Sequence, residues 1–318
     1  MQGEPAFGLA DELNVAPLGV GAWAWGTTRL WGYGKEYDRS DVGRAFRASM
    51  VEGVTLVDTA EMYGNGASER IIGEILREGG FEGRPVIATK FAPLPYRFSA
   101  KSLLKALEKS LERLGIETID LYQIHFPNPI FKINSLMDVL AEAVKAGKVR
   151  RVSVSDYGAD QMRRAHERLA SHGVSLASNQ VEYSLLRRAP ETNGVLEASR
   201  DLGVTLIAYS PIAKGLLTGK YGPGGERPSG LVRRMGRAFG EQNLKKVEPV
   251  VNILRKIGEA HNKEPAQVAL NWLITQRSTF PIPGAKNEHQ AHQNAGALGW
   301  EMSSEEAEKL DLATLGWR

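Results

Sequence analysis

Val57-Asp58-Thr59-Ala60-Glu61-Met62-Tyr63-Gly64-Asn65-Gly66-Ala67-Ser68-Glu69 is the stretch whose reading decides the fold. It follows Val54-Thr55-Leu56, a short apolar and β-branched run that reads as a buried strand and stops at an acid. Tyr63 then precedes a Gly-Asn-Gly turn, and beyond it Ile71, Ile72, Ile75 and Leu76 fall at helical spacing. Strand, exposed loop with an acid and a phenol, then helix is one βα unit. If the unit repeats, the loop lies at the carboxyl-terminal mouth of a barrel, where barrel enzymes keep their chemistry.

The unit does repeat. Helical stretches end at Gly53, Gly80, Gly115, Gly147, Gly173 and Gly203, and each glycine is followed by an apolar run. The inferred strands are Leu18–Trp23, Val54–Val57, Pro85–Thr89, Thr118–Ile124, Val149–Val154, Ser175–Val181, Val204–Ala208 and Thr279–Ile282. Several are apolar throughout, as strands covered on both faces must be. The intervening helices are amphipathic: Leu103, Leu104, Leu107, Leu111 and Leu114 share one stripe, and a Ser135-x-x-Asp138 capping box is expected to open another helix. Eight such units close a (β/α)8 TIM barrel, an α/β fold expected to form a single domain over 1–318. The competing doubly wound sheet lacks its fingerprint, because Gly19-Val20-Gly21 has no third glycine at the required spacing. The period breaks once, over roughly 211–243, a loop long enough to be functional.

Composition narrows the function. Hydrophobic residues are 42% and charged residues 24% of 318, which suits a globular chain with a large core. The 40 Lys and Arg are dispersed among 37 Asp and Glu, so no polybasic face argues for nucleic acid. With no cysteine, thiolate nucleophiles and disulfides are excluded. The start Met1-Gln2-Gly3-Glu4-Pro5 lacks a basic and apolar leader, and no run is apolar enough to span a bilayer; the expectation is a cytoplasmic protein without a membrane partner.

At the carboxyl ends of the inferred strands stand Asp58, Lys90, His125, Ser155, Gln180, Tyr209-Ser210 and Pro283-Gly284-Ala285-Lys286. Singly, each has a plain structural reading: Asp58 and Lys90 as an ion pair, His125 as a core histidine, Tyr63 as loop surface. Jointly they converge on one mouth, where desolvating several ionisable groups is costly unless they compensate one another. A free phenol is a weak acid at neutral pH. Lys90, oriented by Asp58, is expected to lower the pKa of Tyr63, while His125 donates to a substrate oxygen.

These residues resemble those of the aldo-keto reductase superfamily, over Leu18 to Asn294. Val57-Asp58-Thr59-Ala60-x-x-Tyr63-Gly64, Ala88-Thr89-Lys90 and Asp120-Leu121-Tyr122-Gln123-Ile124-His125 match its three signature segments. The resemblance implies hydride transfer from NADPH to an aldehyde or ketone, with Tyr63 as general acid, Lys90 and Asp58 tuning it, and His125 orienting the carbonyl. It implies that Ser155 and Gln180 meet the nicotinamide carboxamide, that Tyr209 stacks beneath the ring, and that Ser210-Pro211-Ile212 and Lys220 line the pyrophosphate. Ala22 and Trp23 are carried over as cofactor contacts, and Arg233 or Arg234 either closes over the cofactor or is solvated surface. Gly284, Lys286, Gln290, Gln293 and Asn294 match the adenosine-phosphate segment, which favours NADP over NAD.

One departure stands out. The family usually carries asparagine after the serine, and here Asp156 follows Ser155. It is expected to modulate cofactor affinity without abolishing it. Trp25, Trp31, Tyr33, Tyr96, Phe98 and Phe126 are expected to ring the mouth and select an apolar or aromatic carbonyl compound. His289 and His292 come without further ligands, so no metal site is expected. The alternative function is a nicotinamide redox sensor resembling potassium-channel β-subunits, with cofactor but little turnover. Either way the expected partner is a small molecule, and the expected state is a monomer or weak homo-oligomer.

Overall fold

Eight parallel strands, β1 (Gly19–Gly21), β2 (Leu56–Asp58), β3 (Val86–Phe91), β4 (Ile119–Ile124), β5 (Val149–Ser155), β6 (Leu176–Glu182), β7 (Thr205–Tyr209) and β8 (Thr279–Ile282), pair in sequence order. A parallel bridge between Gly21 and Gly284, with the Gly21 N–H donating to Pro283 O at 2.9 Å, brings the last strand back to the first. The result is the expected (β/α)8 barrel. The structure is a computed structural model and describes residues 8–97, 99–222, 237–276 and 278–318. Phe98, Arg233 and Arg234 lie outside the described residues, as does the middle of the stretch read as a long loop.

The helices are α1 (Leu9–Leu13), α2 (Thr28–Trp31), α3 (Arg39–Val51), α4 (Ala67–Glu78), α5 (Ser102–Leu114), α6 (Ile133–Lys145), α7 (Ala159–Ala170), α8 (Val195–Leu202), α9 (Glu241–His261), α10 (Pro265–Thr275), α11 (Glu288–Ala295) and α12 (Ser304–Ala313). The leucine stripe of α5 is buried as its spacing requires: Leu103, Leu107, Leu111 and Leu114 pack onto the barrel wall, with Leu104 at the edge. That helix stops at Gly115, whose φ of 66° supplies the left-handed cap. Against it lies α4 at Gly73, where an added Cβ would sit 2.4 Å from Arg113 O, so only glycine permits this approach. The Ser135 capping box is not formed. Helix α6 starts earlier, at Ile133, and Asp138 instead pairs with Arg168 and His172.

Inside the barrel the layers are sharply divided. At the amino-terminal end Leu56, Val86, Ala88, Leu121, Ala177, Ile207 and Phe280 form an apolar layer, and α1 closes it from below with Leu9 and Ala10. The Leu9 N–H donates to Thr205 Oγ1 at 2.9 Å, satisfying a helix-start donor that would otherwise be buried and unpaired. Leu9 is 1% exposed, a burial that stabilises the fold by roughly 1.5–3 kcal/mol. Above this plug the interior turns polar.

Candidate active site

The polar layer follows from strand register. Lys90 of β3 is level with Gln123 of β4, Gln123 with Ser153 of β5, and Ser153 with Ser178 of β6. Tyr122, Ile124, Val152 and Val154, which flank Gln123 and Ser153 along their strands, belong to the outer core cluster, and alternation turns the two polar side chains toward the axis. Asp58, ending β2, faces them and accepts three hydrogen bonds. Lys90 Nζ donates to Oδ2 at 2.5 Å, while Gln123 Nε2 and Gln180 Nε2 donate to Oδ1 at 2.8 and 2.9 Å. Both members of the ion pair are buried, and Lys90 is wholly enclosed. Its ammonium makes two further contacts, to Thr59 O at 2.8 Å and to the Tyr63 hydroxyl at 3.4 Å.

Tyr63 is half-buried in the middle of the β2–α4 loop and meets His125 edge-on, with ring centroids 5.6 Å apart. Asp58, Tyr63, Lys90 and His125 are therefore brought together: Asp58, Tyr63 and His125 line one cavity of about 520 Å³, and Lys90 lies enclosed behind Asp58 and Tyr63. The electrostatics depart from expectation. The Tyr63 pKa is raised well above 10, by burial first and then by the Asp58 and Asp156 charges. The Lys90 ammonium, 3.4 Å from the hydroxyl, favours the phenolate but does not outweigh burial and the two carboxylates. Burial lowers the Lys90 pKa, with Asp58 opposing. His125 falls to about 3 through burial and the nearby ammonium, so its imidazole is neutral. Its Nδ1 is buried with no partner among the described residues.

The cavity wall continues through Ser155, Asp156 and Gln180, then Tyr209, Ser210, Pro211 and Ile212, and reaches Gly284, Lys286 and Gln290. Asp156 opens onto it with φ of 56°, and the walls around its carboxylate push the pKa up to about 6. The Tyr209 hydroxyl donates to Asp156 Oδ1 at 3.4 Å. Burial and then the Asp156 charge raise the pKa of Tyr209. Lys286 reaches back across the ring seam, donating to Trp31 O at 2.8 Å and standing 4.4 Å above the Tyr37 ring. Gln290 accepts from the Lys286 N–H at 2.9 Å.

Other expected site residues lie elsewhere. Trp25 is fully buried, its indole N–H donating to Ala285 O at 2.7 Å, because the barrel seam needs a donor there more than the mouth needs another aromatic. Ala22 is also buried and tied by its backbone to Asp58 and Ser68. Lys220 borders a separate surface depression with Lys263 and Arg255. Lys214, in a left-handed conformation, lines the mouth cavity instead. Asn294 donates to Gly284 O, and Gln293 O accepts from Gln267, so both brace the segment from behind. Tyr33 stacks on Tyr37 and Tyr96 is largely exposed; neither lines the cavity. Trp31 and Phe126 do line it, joined by Trp23, Leu30 and Met62. Gln123 was missed, although a lone amide in the apolar run Leu121–Ile124 is itself a signal.

A sequence profile of the aldo/keto reductase family matches residues 17–314. The chain belongs to this family. Within it, the chloroplastic pyridoxal reductase of Arabidopsis thaliana is 37% identical over 313 residues, spanning 95% of this chain and 84% of its own. A solved glycerol dehydrogenase of Gluconobacter oxydans superposes with a TM-score of 0.81 at 27% identity, covering 94% of this chain and 91% of its own. An aldo/keto reductase of Klebsiella pneumoniae, solved with NADP and acetate, reaches 0.72 at 27% identity, covering 94% of this chain and 91% of its own. The family assignment makes the chain an oxidoreductase. It also gives the cavity a dinucleotide to be tested against, and the donor set fits one. Ammonium groups for phosphate stand at Lys286 and Lys214, amide-complementary side chains at Ser155 and Gln180, and an aromatic face at Tyr209.

Proposed function

We propose that this protein is an NADP(H)-dependent reductase of aldehydes or ketones. What carries the reading is the convergence of Tyr63, Lys90, Asp58 and His125 at one end of a cavity whose other end holds Lys286 and Gln290. When bound, NADPH would supply the hydride. Tyr63 and His125, with ring centroids 5.6 Å apart, would hold the carbonyl oxygen between them. A buried Nδ1 without a partner is better left as a lone pair than as an N–H, which places the His125 proton on Nε2 and makes it a donor to that oxygen. Because its pKa is raised, the Tyr63 phenol is protonated at neutral pH and can give its proton to the developing alkoxide. The phenolate left behind faces the Lys90 ammonium, so the charge that is unfavourable in the resting site is met during the reaction.

Ser155 and Gln180 are assigned to the carboxamide, Tyr209 to the ring face, and Lys286 with Gln290 to the adenosine phosphate. Trp23, Leu30, Trp31, Met62 and Phe126 make the remaining wall apolar and favour an aromatic or aliphatic carbonyl over a highly charged one. The non-catalytic sensor gains no feature here, since Asp58, Tyr63 and His125 line the cavity and Lys90 contacts two of them from behind. The test is NADPH oxidation, followed by absorbance, over a panel of carbonyl compounds. Turnover with an apolar aldehyde, reduced about 10²–10⁴-fold in Tyr63→Phe while NADPH still binds, is the expected result. Undiminished turnover in Tyr63→Phe would remove the phenol from the mechanism.

A further inference from the structure

The cavity carries one carboxylate that the reaction does not use. Asp156 follows β5 directly, and its N–H donates to Gln180 O at 2.8 Å, which fixes it beside the two side chains assigned to the carboxamide. Its φ of 56° is a conformation that aspartate and asparagine tolerate better than other residues with a Cβ, so an amide would serve the backbone equally well. The carboxylate opens onto the cavity. Among the described residues no ammonium or guanidinium stands within ion-pair distance of it, and its side-chain hydrogen bond comes from the neutral Tyr209 hydroxyl. A charge left uncompensated in a ligand cavity acts on whatever occupies that cavity.

Resting on the reading that this cavity takes NADP(H), we propose that Asp156 sets the redox-state preference of the site. Its carboxylate favours the oxidised, cationic nicotinamide over the reduced, neutral ring more than an amide in the same place would. The two forms of the cofactor differ by one positive charge on that ring and by little else. A unit charge several ångströms away in a half-solvated cleft favours the cation by about tenfold. The preference tightens product binding after carbonyl reduction, and it shifts the bound equilibrium toward NADP+ and alcohol by making bound NADPH the stronger hydride donor.

The groups facing Asp156 define when this operates. Tyr209 lies on β7, Glu182 on β6 paired with Arg187 at 3.5 Å, Lys90 on β3, and Asp58 and Tyr63 on β2 and its loop. Tyr63 and Tyr209 titrate far above neutrality, and His125 at about 3. Asp156, with its pKa raised to about 6, changes charge near that pH, and the Asp156→Asn variant separates its titration from that of every other group facing the cavity.

The experiment is equilibrium titration of the whole protein with NADP+ and with NADPH, read by quenching of the cavity tryptophans Trp23 and Trp31. It is done for the natural chain and for Asp156→Asn, on the acid and alkaline sides of pH 6. The measured quantity is the ratio of the two dissociation constants, in which ionisation of the shared phosphates cancels. In the natural chain NADP+ should gain on NADPH by about tenfold as the pH rises through the Asp156 transition. In Asp156→Asn the ratio should be flat and should stay at the acid-side value. A ratio independent of pH in the natural chain, or identical in both proteins on the alkaline side, overturns the inference and leaves the reductase reading standing. Failure of the natural chain to bind either form sinks both.

Discussion

Asp58→Asn is the substitution whose outcome the geometry determines most closely. Asp58 accepts from an ammonium on one oxygen and from two carboxamides on the other. An asparagine has one accepting oxygen. Whichever way its amide turns, an N–H₂ group confronts either the Lys90 ammonium or the paired donors of Gln123 and Gln180. Lys90 is fully buried and keeps only Thr59 O and the Tyr63 hydroxyl, so the substitution leaves a charge without its counter-ion. Breaking a buried pair from one side costs about 3–5 kcal/mol. The Lys90 pKa, already lowered by burial, falls further once Asp58 no longer opposes it. A base whose folded pKa lies below its unfolded value penalises folding at low pH, and the penalty fades as the pH rises from the folded pKa toward the unfolded one. The deficit of Asp58→Asn should therefore be largest near neutrality or below and shrink in alkali. Urea unfolding followed by tryptophan fluorescence at neutral and alkaline pH measures it. Adding Lys90→Met should recover stability relative to Asp58→Asn alone, because it removes the orphaned ammonium. A neutral-pH deficit below about 1 kcal/mol, with no recovery in the double variant, would refute the reasoning, since that is the range of an exposed pair.

Two further outcomes follow from other contacts. Glu61 binds Arg97 through both oxygens at 2.5 and 2.8 Å, and the same guanidinium donates to Ala92 O, tying the Tyr63 loop to the loop after β3. Arg97→Ala should lower kcat by about tenfold with cofactor affinity unchanged, and Arg97→Lys should recover part of the loss; a purely structural tie would instead shift unfolding and leave kcat alone. Leu9→Ala should cost about 2–5 kcal/mol in chemical unfolding while leaving KM untouched, since the plug lies at the end of the barrel remote from the cavity.

The barrel was legible because its signals are local and repeated. A glycine cap and an apolar run recur with every unit, and the residues ending each run are chemically out of place unless they share a task. What stayed hidden depends on longer-range geometry. The seven residues of Leu9–Val15 carry too short a pattern to show that they stopper a barrel, since the layer they meet is drawn from six strands. The fate of Trp25 hinges on where the ring closes, a property of Ala285 some 260 positions away. The direction of the Tyr63 pKa was misjudged because its first cause is burial in the folded mouth, followed by the Asp58 and Asp156 charges, and the sequence shows neither enclosure nor those distances. Lys214 entered the cavity in place of Lys220 through a left-handed backbone turn that its side chain gives no reason to expect.

Closure of the ring between β1 and β8 rests on a three-residue strand and a single bridge, the narrowest joint in the sheet. Gly284 is part of that joint, Lys286 and Gln290 follow just beyond it, and Lys286 is already fastened across it to Trp31. A ligand gripped there acts as a rivet through overlapping plates: the same grip that retains the molecule keeps the hoop from springing open. Under the proposed function integrity and occupancy are linked mechanically, and the lysine proposed to meet phosphate also fastens the architecture through Trp31.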